Sequence, residues 1–426
     1  MPEWFNGLVL KTSVSLCGTG GSNPSPTAVA TRFLSHTLNL YICLFAVLFL
    51  AVATLYLTHP DQIARSDFPA YLTSGHLVKS HLSLYSPNNQ LQAQQGISSQ
   101  PLLPFRYPPF AALMFLPFSF LSIISAYWTF FLLNLLFLVT TALISRYAFP
   151  HLAHYPLWPL LPLSFYPFFH SLWVGQVSIF LALILLVMYI SLRQSRPLLS
   201  GLFFGLLAIK PHLLLSLLPV TLVLIPYKLK FSLGLLISLI FLTLIGFTAT
   251  TPTDLFNYPS FIKSTENPSS GTNHIYLSSI YSLLTTLSAP PLLASIVIIC
   301  LYLILLIYLK FTSRAMPWTS LWPITIPLAL TLTPHISASD LALTSITFLY
   351  LLNSSFATSQ FPSRPIFVII FLTLTNSLIY IPAYLWSLPF FVLSGILILC
   401  PPLLRKKSFL PGKLPSAPSA PIPASF

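Results

Sequence analysis

The chain has 426 residues, of which 55% are hydrophobic and only 6% charged, with a mean hydropathy of +0.84. A soluble domain carries about 25% charged residues, so a water-solvated globular protein is excluded and the apolar runs belong in a bilayer. The net charge of +13 does not mark a nucleic-acid binder, because the lysines and arginines are scattered between apolar runs and never form a stripe or groove.

In chain order, residues 1–37 form a polar lead rich in Gly, Ser and Pro, expected to be disordered and cytoplasmic, with no cleavable signal peptide ahead of the first apolar run. That run, at 38–58, is expected to stay as a retained anchor. Beyond it lies a long non-cytoplasmic segment, 59–124, which includes "YLTSGHLVKSHLSLY", patterned like an amphipathic helix lying on the membrane surface. Within it "YPPFAALMFLPFSFLS" (107–122) reads as a short re-entrant or interfacial helix, since a full crossing there would break the parity of the spans.

Further spans are predicted at 125–146, 157–174, 177–192, 197–209, 212–227, 231–249, 291–309, 317–333, 338–353, 365–381 and 385–401. A second long outer segment occupies 250–290, and a basic, Pro-rich cytoplasmic tail occupies 402–426. The fold class is therefore an all-α polytopic membrane protein, a single bundle over 38–401 with about twelve crossings of about 20 residues each. A β-barrel would need alternating apolar residues, and these are not seen.

Cytoplasmic loops are enriched in Lys and Arg, which can be tested loop by loop with both termini inside. Arg146, Arg193, Arg196, Lys228, Lys230, Lys310, Arg314 and the basic tail then all fall on the cytoplasmic face. The acids were not used to choose this orientation. Yet Asp61, Asp67, Asp254, Glu266 and Asp340 fall outside, and only Glu3 inside.

The spans 197–209 and 212–227 are short and meet at Lys210 and Pro211, which places a lysine partly within the membrane on the outer side. An intramembrane charge is functional by default, although a stem that snorkels to the headgroups is the alternative. Cys17, Cys43, Cys300 and Cys400 lack metal-type spacing, and His170, His212 and His274 have neither a carboxylate pair nor a Cys ligand beside them. No metal and no cofactor is expected.

From residue type alone, Asp67 reads equally as a helix N-cap ahead of an apolar stretch and as a general base. Asp61, close to the end of the first span, reads as a solvated loop acid.

"SDFPAYLTSGHLVKSHLSLY" (66–85) followed by "FRYPPFAALMFLPF" resembles the start of glycosyltransferase family 87, the polyprenol-phosphate-mannose-dependent mannosyltransferases. The matching tokens are Asp67, Phe68 and Tyr71, then Leu84, Tyr85 and Pro87, then Tyr107, Pro108 and Pro109. "WVGQVSIFLALILL" with Gly175 and Gln176, "GLFFGLLAIKPHLLL" with Lys210 and Pro211, and "LTPHISASDLALT" with Pro334, His335 and Asp340 follow in family order. The sequence departs from the pattern at "NNQLQAQQGISSQ" and in the second outer segment, which bears on the acceptor more than on the fold.

The resemblance implies a GT-C fold, a lipid-linked sugar donor, a lipid or glycan acceptor, and a catalytic carboxylate on the first outer loop, which Asp67 matches. Inverting transfer needs a base for the acceptor hydroxyl, while a phosphate leaves without a strong acid. Lys210, Arg106 and His335 are the candidates for the donor phosphate. Gln176, Asp340, Tyr107 and Tyr71 are those for the sugar, with a helix–helix hydrogen bond as the alternative for Gln176. The expected setting is the cell (inner) membrane of a bacterium, with the active site on the outer face. A transporter or flippase would share the spans, but the polar tokens gather at one face and the chain shows no internal repeat.

Overall fold

Proline begins many of the helices in this chain, because its fixed φ suits a first turn whose N–H groups have no intrahelical acceptor. The computed structural model describes residues 61–98, 103–154, 157–265 and 277–356, with isolated positions between 36 and 51 and Leu385. The lead 1–35, most of the first span, the spans expected at 365–381 and 385–401, and the tail lie outside the described residues.

Residues 61–120 hold α1 (Asp61–Ala64), α2 (Phe68–Lys79), α3 (Pro87–Gln94) and α4 (Pro109–Leu113), then a 3-10 turn over Leu116–Phe120. The 107–122 stretch is thus two short elements and not a crossing. Then come α5 (Ile123–Ala148), α6 (Tyr166–Trp173), α7 (Ser178–Arg193), α8 (Pro197–Gly205), which runs on as a 3-10 turn to Ile209, and α9 (Pro211–Leu224). The remainder is α10 (Lys228–Ala249), α11 (Pro252–Thr265), α12 (Ile280–Thr286), α13 (Pro291–Thr312), α14 (Trp318–Thr331), a 3-10 turn over Ala338–Thr344, and α15 (Ser345–Phe356).

Among the described residues three helices, α5, α10 and α13, are long and apolar enough to cross a bilayer. Their outward faces carry bare hydrocarbon, with Leu132, Leu136 and Leu143 on α5, Leu233, Ile237 and Phe241 on α10, and Ile299, Leu303 and Ile307 on α13 all exposed. Such belts are stable only against lipid. α7, α8 with its extension, and α9 are apolar but shorter. The single span expected at 157–174 is instead a 3-10 turn, Trp158–Ser164, followed by α6. Pro156, Pro159, Pro162 and Pro167 withdraw N–H donors every few residues there, and a continuous α-helix cannot form.

The bundle has two distinct ends. α7 leaves one end at Ser178 and reaches the other at Arg193, whose guanidinium donates to the Ala148 carbonyl at the close of α5. Near it the Tyr189 hydroxyl donates to the Thr319 carbonyl (2.7 Å) at the start of α14. α8 returns from Pro197 to Lys210, α9 departs again from Pro211, and α10 starts at Lys228. The basic residues Arg193, Arg196, Lys228 and Lys230 therefore lie at the end away from Lys210.

α8 and α10 cross closely because each presents a glycine. A Cβ on Gly201 would stand 2.0 Å from the Phe231 carbonyl oxygen, and one on Gly234 2.0 Å from that of Leu198. Small residues at such a crossing let two backbones touch within a membrane.

Candidate active site

Pro211 builds the floor of the site. A residue before proline is pushed out of the helical region, and Lys210, at φ −118° and ψ 88°, breaks the helical hairpin. Its side chain turns inward, where the residue is 2% exposed, so it does not snorkel. The ammonium donates to Asp340 Oδ1 (2.6 Å), Gln176 Oε1 (2.8 Å) and Ser178 Oγ (3.1 Å).

Asp340 is held in turn by a capping box. The Ser337 N–H (3.1 Å) and hydroxyl (2.8 Å) donate to Oδ2, and Ser178 Oγ donates to Oδ1 (3.0 Å). Ser337 is itself tied to the residues ahead of α12, since Leu277 and Ser337 form an isolated bridge and the Ser278 N–H donates to the Ile336 carbonyl (2.6 Å).

Gln176 stands at the centre. Its Oε1 accepts from Lys210, from the Tyr71 hydroxyl (2.7 Å) and from the Tyr107 hydroxyl (3.3 Å), and its Nε2 donates to Asp67 Oδ2. The two tyrosine hydroxyls share a further hydrogen bond of 2.5 Å. Gly175 makes the approach possible. It sits at φ +68°, and a Cβ there would lie 2.9 Å from Cβ of Phe68, while the Asp67 N–H donates to the Val174 carbonyl (3.1 Å).

Asp67 occupies the N-cap position of α2 but makes no capping hydrogen bond. Its carboxylate is half-buried. Burial raises its pKa above the ordinary carboxylate value, against the pull of the Gln176 hydrogen bond and the Lys210 charge. A carboxylate tuned upward in this way is a stronger base.

His335 is half-buried at the rim, its ring edge-on to His212 at 5.4 Å between centroids. Burial lowers its pKa to about 3, and the neighbouring His212 adds to the shift, so it stands neutral. His212 Nε2 lies 3.4 Å from Asp340 Oδ2. Arg106 is engaged by α11, donating to the Thr265 carbonyl (2.6 Å) and hydroxyl (3.4 Å). Its charge is felt at Asp67 and His335. No group of His, Cys, Asp and Glu suited to a metal occurs among the described residues.

Asp67, Tyr71, Tyr107, Gln176, Lys210 and Asp340 thus form one connected network, with His335 and Arg106 beside it. Ser178 is an addition that the sequence reading did not single out, and His212, weighed there only as a metal ligand, joins the network instead through Asp340.

The described helices thus gather a carboxylate and a buried ammonium at one end of an apolar helical bundle. Residues 105–334 match the family model described as Glycosyltransferase family 87. The chain belongs to that family and is a membrane glycosyltransferase, with a sugar donor and an acceptor as its partners. The match takes in Arg106, Tyr107, Gln176 and Lys210, while Asp67, Tyr71, His335 and Asp340 lie beyond its limits. No curated protein and no solved structure matches the chain.

Proposed function

We propose that this protein transfers a hexose, mannose, from a polyprenyl-phosphate-sugar donor to a lipid or glycan acceptor of the cell envelope, with inversion at the anomeric carbon and Asp67 as general base. The observation that carries the reading is the Asp67 carboxylate, half-buried and bonded through Gln176 Nε2 instead of capping its helix. The acceptor hydroxyl gives its proton to Asp67 as its oxygen attacks the anomeric carbon. The bond from that carbon to the phosphate breaks, and the lipid phosphate departs with the electron pair.

His335 and Arg106 receive the phosphate at the rim, with the Lys210 charge beneath them, since charge that grows on a leaving group is best met by donors already in place. Tyr71, Tyr107, Gln176 and Asp340 shape the sugar side. The setting is the cell (inner) membrane, with a bundle of about twelve crossings over 38–401, both termini cytoplasmic, and the site opening on the outer face where the acids lie.

The test is transfer of radiolabelled mannose from polyprenyl-phosphate-mannose to envelope lipids and glycans in proteoliposomes, comparing wild type with Asp67→Asn. Transfer lost in the variant alone supports the reading. Equal transfer by both removes Asp67 from the base's role, and movement of the intact donor across the bilayer without transfer would favour a flippase.

A further inference from the structure

We infer that Lys210 is a positioning residue, acting on Asp67 through Gln176 by fixing which way the Gln176 amide faces, and that it makes no direct contact with the donor phosphate. The inference deepens the function proposed above and rests on it for the identity of the base.

An ammonium has three hydrogens to donate. Those of Lys210 are directed at Asp340 Oδ1 (2.6 Å), Gln176 Oε1 (2.8 Å) and Ser178 Oγ (3.1 Å), and the residue is 2% exposed. No hydrogen is left for a phosphate oxygen. What Lys210 does impose is an orientation. It can only donate, and an ionised Asp67 can only accept, so the amide between them has one arrangement that satisfies both.

Oε1 must face Lys210, and Nε2 then faces Asp67 Oδ2, as found. Tyr71 and Tyr107 also bond Gln176 Oε1, but a hydroxyl can accept as readily as it donates, and they would tolerate the reverse. Without Lys210 the ionised carboxylate alone holds the amide, and once Asp67 has taken the acceptor proton either face of the amide suits it, so Oε1 can turn toward the carboxyl. The base then returns to its ionised state without Nε2 already in place. The charged and titratable groups that bear on Asp67 besides Lys210 are Asp340, Arg106, Tyr71 and Tyr107.

The experiment uses full-length protein in lipid nanodiscs with polyprenyl-phosphate-mannose as donor. K210M/D340N removes the buried pair together, because K210M alone strands a buried carboxylate. Q176L removes the link, and the triple variant combines them. K210Q, whose amide N–H can still donate to Asp340 without the three fixed donors of an ammonium, is the second variant should the pair deletion fail to insert.

The expected result is a fall in kcat of about 10²-fold in K210M/D340N, K210Q and Q176L, the scale of a mispositioned reacting group, with the donor KM unchanged. The triple variant is no worse than Q176L, because the residues act through one link. The Asp67 carboxyl, followed by infrared difference against D67N, titrates about one pH unit higher once its donor is lost. Losses that multiply in the triple variant, or a raised donor KM with the Asp67 titration unmoved, would place Lys210 on the phosphate and overturn the inference. A D67N enzyme as active as wild type would sink the assigned base instead. The infrared titration needs no turnover and decides the Gln176 linkage in either case.

Discussion

At Asp67 two uses of a carboxylate compete, and the backbone decides between them. An N-cap aspartate normally holds an extended conformation and bends back onto its own helix, whereas Asp67 is already helical at φ −79° and ψ −14° and makes no capping bond. The side chain is thereby left to Gln176. Asp67→Asn keeps the hydrogen-bonding volume but cannot take up a proton, so transfer is expected to fall by about 10²–10⁴-fold, with insertion and thermal unfolding unchanged. Because burial raises the Asp67 pKa, the base is lost by protonation at a higher pH than an ordinary aspartate near 3.9 would allow. Activity should therefore decline as the pH falls through that raised value, and a pH profile of kcat/KM checks it.

At Asp340, replacing the side chain by Asn leaves the Lys210 ammonium buried without its counter-charge. Loss of one partner of a buried pair costs about 3–5 kcal/mol, which thermal unfolding in detergent would register. The residues of this network were largely legible from short tokens, because few polar side chains occur in so apolar a chain and each has to be explained. The bonds among them were not. That Gln176 joins Asp67 to Lys210 depends on three segments far apart in sequence, and Gln176 itself lies in the connection between two helices.

Among the elements, periodicity and length located α5, α10 and α13 well, since long apolar runs have one stable use. The proline-rich stretch from 157 to 167 was misread as the first half of a span over 157–174 because apolar content alone does not reveal missing N–H donors. Glycine contacts were likewise hidden until partners were known. At the α8–α10 crossing, Gly201→Leu drives a side chain into the Phe231 carbonyl. It is expected to destabilise the bundle by about 1–3 kcal/mol or more, seen as a lower unfolding temperature. Gly175→Ala combines a left-handed φ of +68° with a Cβ 2.9 Å from Phe68. Strain of that kind costs about 1–2 kcal/mol and would be relieved by shifting the Asp67 and Gln176 backbones apart, so transfer should fall more than stability does.

At the scale of the molecule, among the described residues, Arg193, Arg196, Lys228 and Lys230 lie at the end of the bundle away from Asp67, Lys210 and Asp340. The segments 61–120 and 252–265 are bound together by Ser83 donating to Asp254 and the Tyr258 hydroxyl donating to the Arg106 carbonyl (3.0 Å), beside the Arg106–Thr265 bonds. On a background without native cysteines, Ser195→Cys should be labelled by a membrane-impermeant reagent only from the cytoplasm, and His81→Cys only from outside. The reverse pattern would invert the proposed orientation.

The Lys210–Asp340 pair joins residues 130 positions apart, and ribosomes deliver them in that order. When the α8–α9 hairpin enters the bilayer its ammonium has no carboxylate of its own yet, because the turn that carries Asp340 is still to be made. The hairpin must keep access to water until that turn arrives, so the bundle seals around its site only near the end of synthesis. A chain arrested before Asp340 would carry a stranded charge in its interior, which marks it as a target for membrane quality control.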